Sequence, residues 1–150
     1  MPQAAVIRPV APSDFAQWLP LWTGYNTFYE RTLPDEITRV TWQRFFDAYE
    51  PMHALVAEQD GRLVGLAHYL FHRNTTMIGP VCYLQDLFTA ETARGRGVGR
   101  ALIEGVYARA KEAGSPRVYW MTHETNRTAM KLYDQVAERS GFIQYRKQIA

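Results

Sequence analysis

The residues best suited to chemistry stand together at Arg94-Gly95-Arg96-Gly97-Val98-Gly99-Arg100. Three glycines alternate, and glycine lets a backbone turn tightly and lets an anionic group approach amide N–H groups closely. The segment follows an apolar strand signal and leads into Ala101, Leu102, Val106 and Ala110 at helical spacing. The first amides of a helix have no intrahelical acceptor, and the helix dipole adds positive potential there. Arg94, Arg96 and Arg100 contribute three permanent charges with forked donors. This combination predicts a site for phosphate or pyrophosphate. The dinucleotide fingerprint G-x-G-x-x-G fails in both registers, because its third glycine falls on Arg100 or on Leu102, and no Gly-Lys-Ser/Thr triplet occurs. On the glycines alone, a basic turn capping a helix is an equal alternative.

Other reactive groups are scattered. His68 and His72 lie four apart on a strand pattern, hence on one face. His123 and Glu124 follow a later strand, but Arg127 stands where a zincin motif needs its second histidine. The histidines and the single Cys82 supply no metal-type cluster, so no metal site is expected. No G-x-S-x-G elbow occurs. Cys82 sits at an apolar strand start and reads as a buried, inert thiol.

The elements that must position these groups follow from periodicity. Ala5 to Val10 reads as a strand. Ser13 or Asp14 is suited to cap a helix with Phe15, Trp18, Leu19 and Trp22 on one face. Pro20 is expected to kink or split that helix, and Gly24 to end its regular part. A second helix opens at Leu33-Pro34-Asp35-Glu36, with Ile37, Val40, Trp42, Phe45 and Phe46 facing inward. Met52 to Glu58 and Leu63 to Phe71 flank Gln59-Asp60-Gly61, a hairpin signal. Strand Tyr83 to Thr89, a helix from Val98 to Gly114, strand Arg117 to Met121, helix Asn126 to Arg139 and a last strand Phe142 to Ile149 complete the order. The fold class is mixed α/β (α+β), a mostly antiparallel sheet flanked by helices. No repeat or linker is visible, so residues 1–150 read as one domain.

The bulk numbers bound the function. At 150 residues and 47% hydrophobic, the chain has enough apolar surface for a core without disulfides. A net charge of +2 is too small to argue for a nucleic-acid partner. No apolar run is long enough to cross a membrane, and no charged leader precedes an apolar stretch. One cysteine is compatible with a reducing, cytoplasmic setting.

Arg94-Gly95-Arg96-Gly97-Val98-Gly99 resembles the R/Q-x-x-G-x-G/A signature of the GNAT acetyltransferases. Asn126-Arg127-Thr128-Ala129-Met130-Lys131-Leu132-Tyr133 resembles the N-x-x-A-x-x-L-Y helix of that family, and Gly141-Phe142 its turn into the last strand. Tyr83-Leu84-Gln85-Asp86-Leu87-Phe88 resembles the Y-L-E-D-φ-F strand of the histone, polyamine and D-amino-acid acetyltransferase branch. The resemblance covers nearly the whole chain and agrees with the element order.

What it implies is an N-acetyltransferase that uses acetyl-CoA to acylate a primary amine by direct attack in a ternary complex. The loop of Arg94, Gly95, Arg96, Gly97, Val98, Gly99 and Arg100 would bind the cofactor, the amides of Arg96 to Arg100 holding the pyrophosphate. The backbone of Leu87 and Phe88 would pair with the pantetheine arm, between two strands that splay apart, and Asn126 would bind the same arm. Tyr133 would protonate or hydrogen-bond the leaving sulfur. The family's glutamate is replaced here by Gln85, which cannot accept a proton. That leaves Asp86, His68, His72, His123, Glu124 or a water relay as the base. Glu30, Asp35, Glu36 and Asp86 suit a cationic acceptor: a small amine, a polyamine or an amino-acid-like amine ahead of a protein lysine. The first two helices would form one wall of the acceptor site or a homodimer interface. The competing reading is a non-catalytic acyl-CoA sensor on the same fold.

Overall fold

The computed structural model describes residues 4–150. Five strands form one sheet in chain order: β1 (Val6–Pro9), β2 (Met52–Gln59), β3 (Arg62–His72), β4 (Val81–Thr89) and β5 (Val118–Tyr119). Neighbours from β1 to β4 are antiparallel, and β5 joins β4 in parallel. The β2–β3 hairpin closes as its turn residues predict, with Asp60 at φ 52° and Gly61 at φ 76°. Positive φ at both central residues matches the right-handed twist of the flanking strands.

Strand alternation divides the core between two helical layers. Leu55, Ala57, Ala67, Tyr69, Cys82 and Leu84 pack against α3 (Val98–Glu112), with Leu132, Tyr133 and Val136 of α4 (Arg127–Val136) joining them. Val56 and Leu66 face the other way, against Trp18, Leu21, Trp22 and Tyr25 of α1 (Phe15–Phe28) and Trp42 of α2 (Asp35–Arg44). The α/β class expected from the sequence is therefore observed.

Several local expectations are corrected. Pro20 does not end α1, which runs unbroken through it and through Gly24. The helix forgoes the bond that Pro20 cannot donate. Burial of Trp18, with no exposed surface, and of Leu21, Trp22 and Tyr25 outweighs that loss. Gly24 is not a terminator. A Cβ there would come within 2.9 Å of the Phe88 ring, so the glycine makes room for Phe88. Asp14 stands at the N-cap of α1 but makes no cap bond; its carboxylate takes Arg8 instead. In and after α2, Ile37 and Phe46 are exposed, so the inward face is narrower than the periodicity suggested. The last strand, expected over 142–149, does not form. Residues 137–150 have no regular structure and lie exposed.

Candidate active site

The site begins with an extra residue in β4. Facing β3, the register jumps between His68↔Asp86 and Tyr69↔Leu84, leaving Gln85 without an opposite number. This is a β-bulge, which re-aims the side chains after it. Leu84 and Leu87 both belong to the α3 face, with two residues between them where alternation allows one. Asp86 and Phe88 therefore face α1, and Gln85 is exposed at the bulge.

Asp86 sits on a buried hydrogen-bonded base. His68, 1% exposed, places Nδ1 2.9 Å from Asp86 Oδ2, while the Trp18 indole donates to His68 Nε2 at 3.1 Å. An indole N–H only donates, so Nε2 is the acceptor and the imidazole proton lies on Nδ1, pointed at the carboxylate. Both ring nitrogens are thus engaged, which removes His68 from the proton acceptors. The Asp86 side chain keeps 11% of its surface accessible. The remaining histidines are elsewhere: His72 bonds Tyr119 Oη and the Arg73 carbonyl, and His123 bonds Thr125. Among the acidic residues expected to suit a cationic acceptor, Asp35 and Glu36 fall in the first turn of α2 and are exposed.

An aromatic wall from α1 closes over Asp86. Trp18 stacks on Trp22 and Trp22 on Tyr25, with ring planes within 13° and 9° of parallel. The Tyr25 phenol is pushed well above its ordinary pKa, first by burial and then by the adjacent Asp86 carboxylate. Tyr29, next along, is raised by burial and by Asp86, opposed by Arg31. Arg31 lies 5.6 Å from the centroid of Tyr25 and 5.1 Å from that of Tyr29.

Tyr133 approaches from α4, its ring edge-on to Trp120 at 5.4 Å. Burial, with a smaller contribution from nearby Tyr29, pushes its phenol up to about 12. Asp86, Tyr25, Tyr29 and Tyr133 thus form one neighbourhood built from β4, α1 and α4, although Asp86 and Tyr133 are far apart in sequence.

The β4–β5 pairing stops at Tyr83↔Tyr119. From Leu84 onward the β5-facing edge of β4, including Leu87 and Phe88, carries no ladder to β5 among the described residues. At its end, Gly97 caps α3 with φ 82°, a left-handed conformation that a side chain would strain. The first helical bond runs from the Ala101 amide to the Gly97 carbonyl, and no side chain caps the helix. The amides of Val98, Gly99 and Arg100 lie ahead of that first bond, and Gly95 (φ 77°) keeps the approach tight. The arginines are not massed at this mouth. Arg94 donates to the Thr89 carbonyl and lies over Phe88, and Arg100 bonds Gln135, while Arg96 is exposed. Asn126, at the N-cap of α4, donates its side-chain amide to Thr122 Oγ1 at 3.0 Å. Cys82 has no exposed surface, and burial pushes its thiol up to about 12, in keeping with an inert role.

Sequence reasoning missed the bulge and with it the partnership of His68 and Asp86. The expectation that the first two helices wall the acceptor site gave Tyr25 and Tyr29 no particular role. The detectable signal was a histidine on the strand preceding Asp86, four residues from a second histidine.

The sequence model of the acetyltransferase (GNAT) family matches residues 17–137. The chain is 38% identical over 144 residues to the D-amino-acid N-acetyltransferase of Saccharomyces cerevisiae, covering 95% of this chain and 89% of that one. It is 27% identical over 141 residues to an uncharacterized N-acetyltransferase of Bacillus subtilis, covering 93% and 94%. Among solved structures, a probable acetyltransferase superposes with TM-score 0.85 at 23% identity, covering 97% and 98%. An aminoglycoside N-acetyltransferase in complex with CoA superposes with TM-score 0.79 at 20% identity, covering 100% and 99%. This chain belongs to the GNAT family and is an acetyltransferase enzyme with the GNAT fold.

Proposed function

We propose that the chain transfers the acetyl group of acetyl-CoA to the amine of a small, amino-acid-like acceptor, with Asp86 as the acceptor-side anchor and Tyr133 at the leaving sulfur. The observation that carries this reading is the convergence of Asp86, aimed by the bulge and held by His68, with Tyr133 at the open edge of β4. The likeness to the yeast D-amino-acid N-acetyltransferase favours an amino-acid acceptor over a polyamine or a protein lysine.

The amides of Arg94 to Arg100 suit the pyrophosphate, since the α3 N-terminus carries no side-chain cap. The β5-facing edge of β4 at Leu87 and Phe88 suits the pantetheine arm as an added strand, with Asn126 beside it once its bond to Thr122 is exchanged. The acceptor binds as an ammonium, because an amine of pKa about 10.4 is charged at neutral pH. Asp86 pairs with it and takes a proton, directly or through a water held by the Gln85 amide. The free amine nitrogen then attacks the thioester carbonyl carbon, and an amide N–H polarises that oxygen. The carbon–sulfur bond breaks, and the CoA sulfur leaves towards the Tyr133 hydroxyl. A phenol held at about 12 is a weaker acid than a thiol of about 8.5, a gap of about 5 kcal/mol. Tyr133 therefore stabilises the thiolate by donating a hydrogen bond, and the final proton comes from solvent.

We also propose a homodimer in a reducing, cytoplasmic setting, with no nucleic-acid partner. Phe142, Ile143, Tyr145 and Ile149 are 78–90% exposed on the C-terminal segment. A second copy whose short β5 edge accepts that segment as a strand would bury them. No helix of the described residues is long and apolar enough to cross a membrane.

The first test is thermal melting with acetyl-CoA, CoA, NAD and ATP. A ligand at a hundred times its Kd adds about 2.7 kcal/mol, so the CoA ligands alone should raise Tm by a few degrees. No shift with either at millimolar concentration would overturn the cofactor assignment. A shift without thiol release in a broad amine screen would favour the non-catalytic sensor, the reading that Gln85 in place of the family glutamate supports.

A further inference from the structure

Arg31 is a cation beside the site that the chemistry above does not use. Arg8, Arg44, Arg109 and Arg139 each pair with a carboxylate. Among the described residues, Arg31 has no carboxylate within ion-pairing distance. Its guanidinium instead lies over the faces of Tyr25 and Tyr29, the two rings that also feel Asp86.

The backbone fixes this placement at some cost. Helix α1 ends with the Arg31 amide donating to the Asn26 carbonyl at 2.8 Å, the long closing bond of a Schellman motif. That motif needs a left-handed residue just before Arg31, usually glycine. Here Glu30 occupies it at φ 56°, a strained conformation of the kind that collects at ligand sites. A hydrophobic residue commonly follows such a turn and packs back on the helix. In this chain the position is an arginine folded onto tyrosines.

We propose that Arg31 is the carboxylate-binding, specificity-determining residue of the acceptor site, so that the acceptor is a zwitterion held with its ammonium on Asp86 and its carboxylate on Arg31. This rests on the acetyltransferase reading. The Tyr25 phenol, within reach of both charges, separates the two poles and forms the floor between them. A guanidinium offers a carboxylate two parallel N–H donors, which a lysine cannot. A polyamine would meet the guanidinium with a second positive charge, and a protein lysine side chain would offer it no carboxylate.

The experiment measures kcat/KM with acetyl-CoA for a panel of α-amino acids of both hands, their carboxamides and the corresponding decarboxylated amines, in the wild type, Arg31→Gln and Arg31→Lys. The wild type should prefer the free amino acids. Arg31→Gln should lose at least tenfold on them, mostly through KM, and change less than twofold on the carboxamides. Arg31→Lys should fall between. Equal losses on all three classes would mean that Arg31 only supports the aromatic wall, and no loss on amino acids would make it a surface cation; either overturns the proposal. So would a wild type that prefers the carboxamides. A wild type that acetylates none of the panel, yet melts higher with acetyl-CoA, rejects transfer to this acceptor class and the Arg31 assignment together. Without that melting shift, the cofactor assignment fails as well.

Discussion

The hydroxyl of Tyr133 separates two roles that the sequence leaves joined, proton donor and hydrogen-bond donor. A phenol raised to about 12 stays protonated across the working range of an enzyme. Any alkaline fall in kcat below about pH 11 should therefore survive in Tyr133→Phe. The variant itself should lose about a hundredfold in kcat, at the low end for one lost hydrogen-bond donor to a developing charge, with acetyl-CoA binding unchanged. Full activity in the phenylalanine variant would remove Tyr133 from the reaction. At this scale the sequence was informative where a motif carries its own geometry. The cap of α3 at Gly97 was legible in the alternating glycines, whereas Asn126 and Tyr133 were singled out by the family resemblance and not by helix spacing. It was uninformative about Asp86, because period-two alternation assigns Gln85 and Asp86 to opposite faces and no composition signal marks an inserted residue.

Among the elements, β1 and the entry to α1 are held by ions instead of by a cap. Arg8 forks onto both oxygens of Asp14 at 2.8 and 3.0 Å and reaches Glu58 at 3.1 Å, while Asp14 also accepts the Ala11 amide at 2.7 Å. The Arg8 hydrogen bonds hold the Asp14 carboxyl below its ordinary pKa, although burial opposes them. A carboxyl lowered on folding stabilises the native state above its unfolded pKa of about 3.9, and that stability drains away as pH falls through the lower folded value. Asp14→Asn should cost about 2 kcal/mol at pH 7 and flatten the acid side of the stability profile in urea titrations. An unchanged slope below pH 4 would assign the acid sensitivity to other carboxylates. The element order was legible because each turn announces itself, as Asp60-Gly61 does. The unbroken α1 was not, because Pro20 and Gly24 are local breakers overruled by burial of Trp18 and its neighbours.

For the whole molecule, the segment after α4 is the part that its own chain leaves uncovered. Its alternation predicts a strand, and period-two patterning says nothing about which sheet, or which copy, accepts it. Removing residues 139–150 should leave the core intact, since those residues are all exposed. By light scattering the shortened chain should be half the mass of the full one, with little change in secondary structure. Equal masses would exclude this segment as the link between copies.

The bulge in β4 has a consequence that belongs to length and not to chemistry. The bulge takes Gln85 out of the alternation, so its neighbours keep one phase: Leu84 and Leu87 face α3, Asp86 faces His68 and Phe88 fills the notch left by Gly24. Neither its identity nor its presence then sets which face Asp86 takes. Gln85→Ala should keep the fold and much of the activity, and deletion of residue 85 should close the bulge into regular pairing, with Asp86 still opposite His68 and Leu84 opposite Tyr69. If the deletion variant folded but lost its activity, the local bend of the bulge, and not only the phase of the strand, would be needed to aim Asp86.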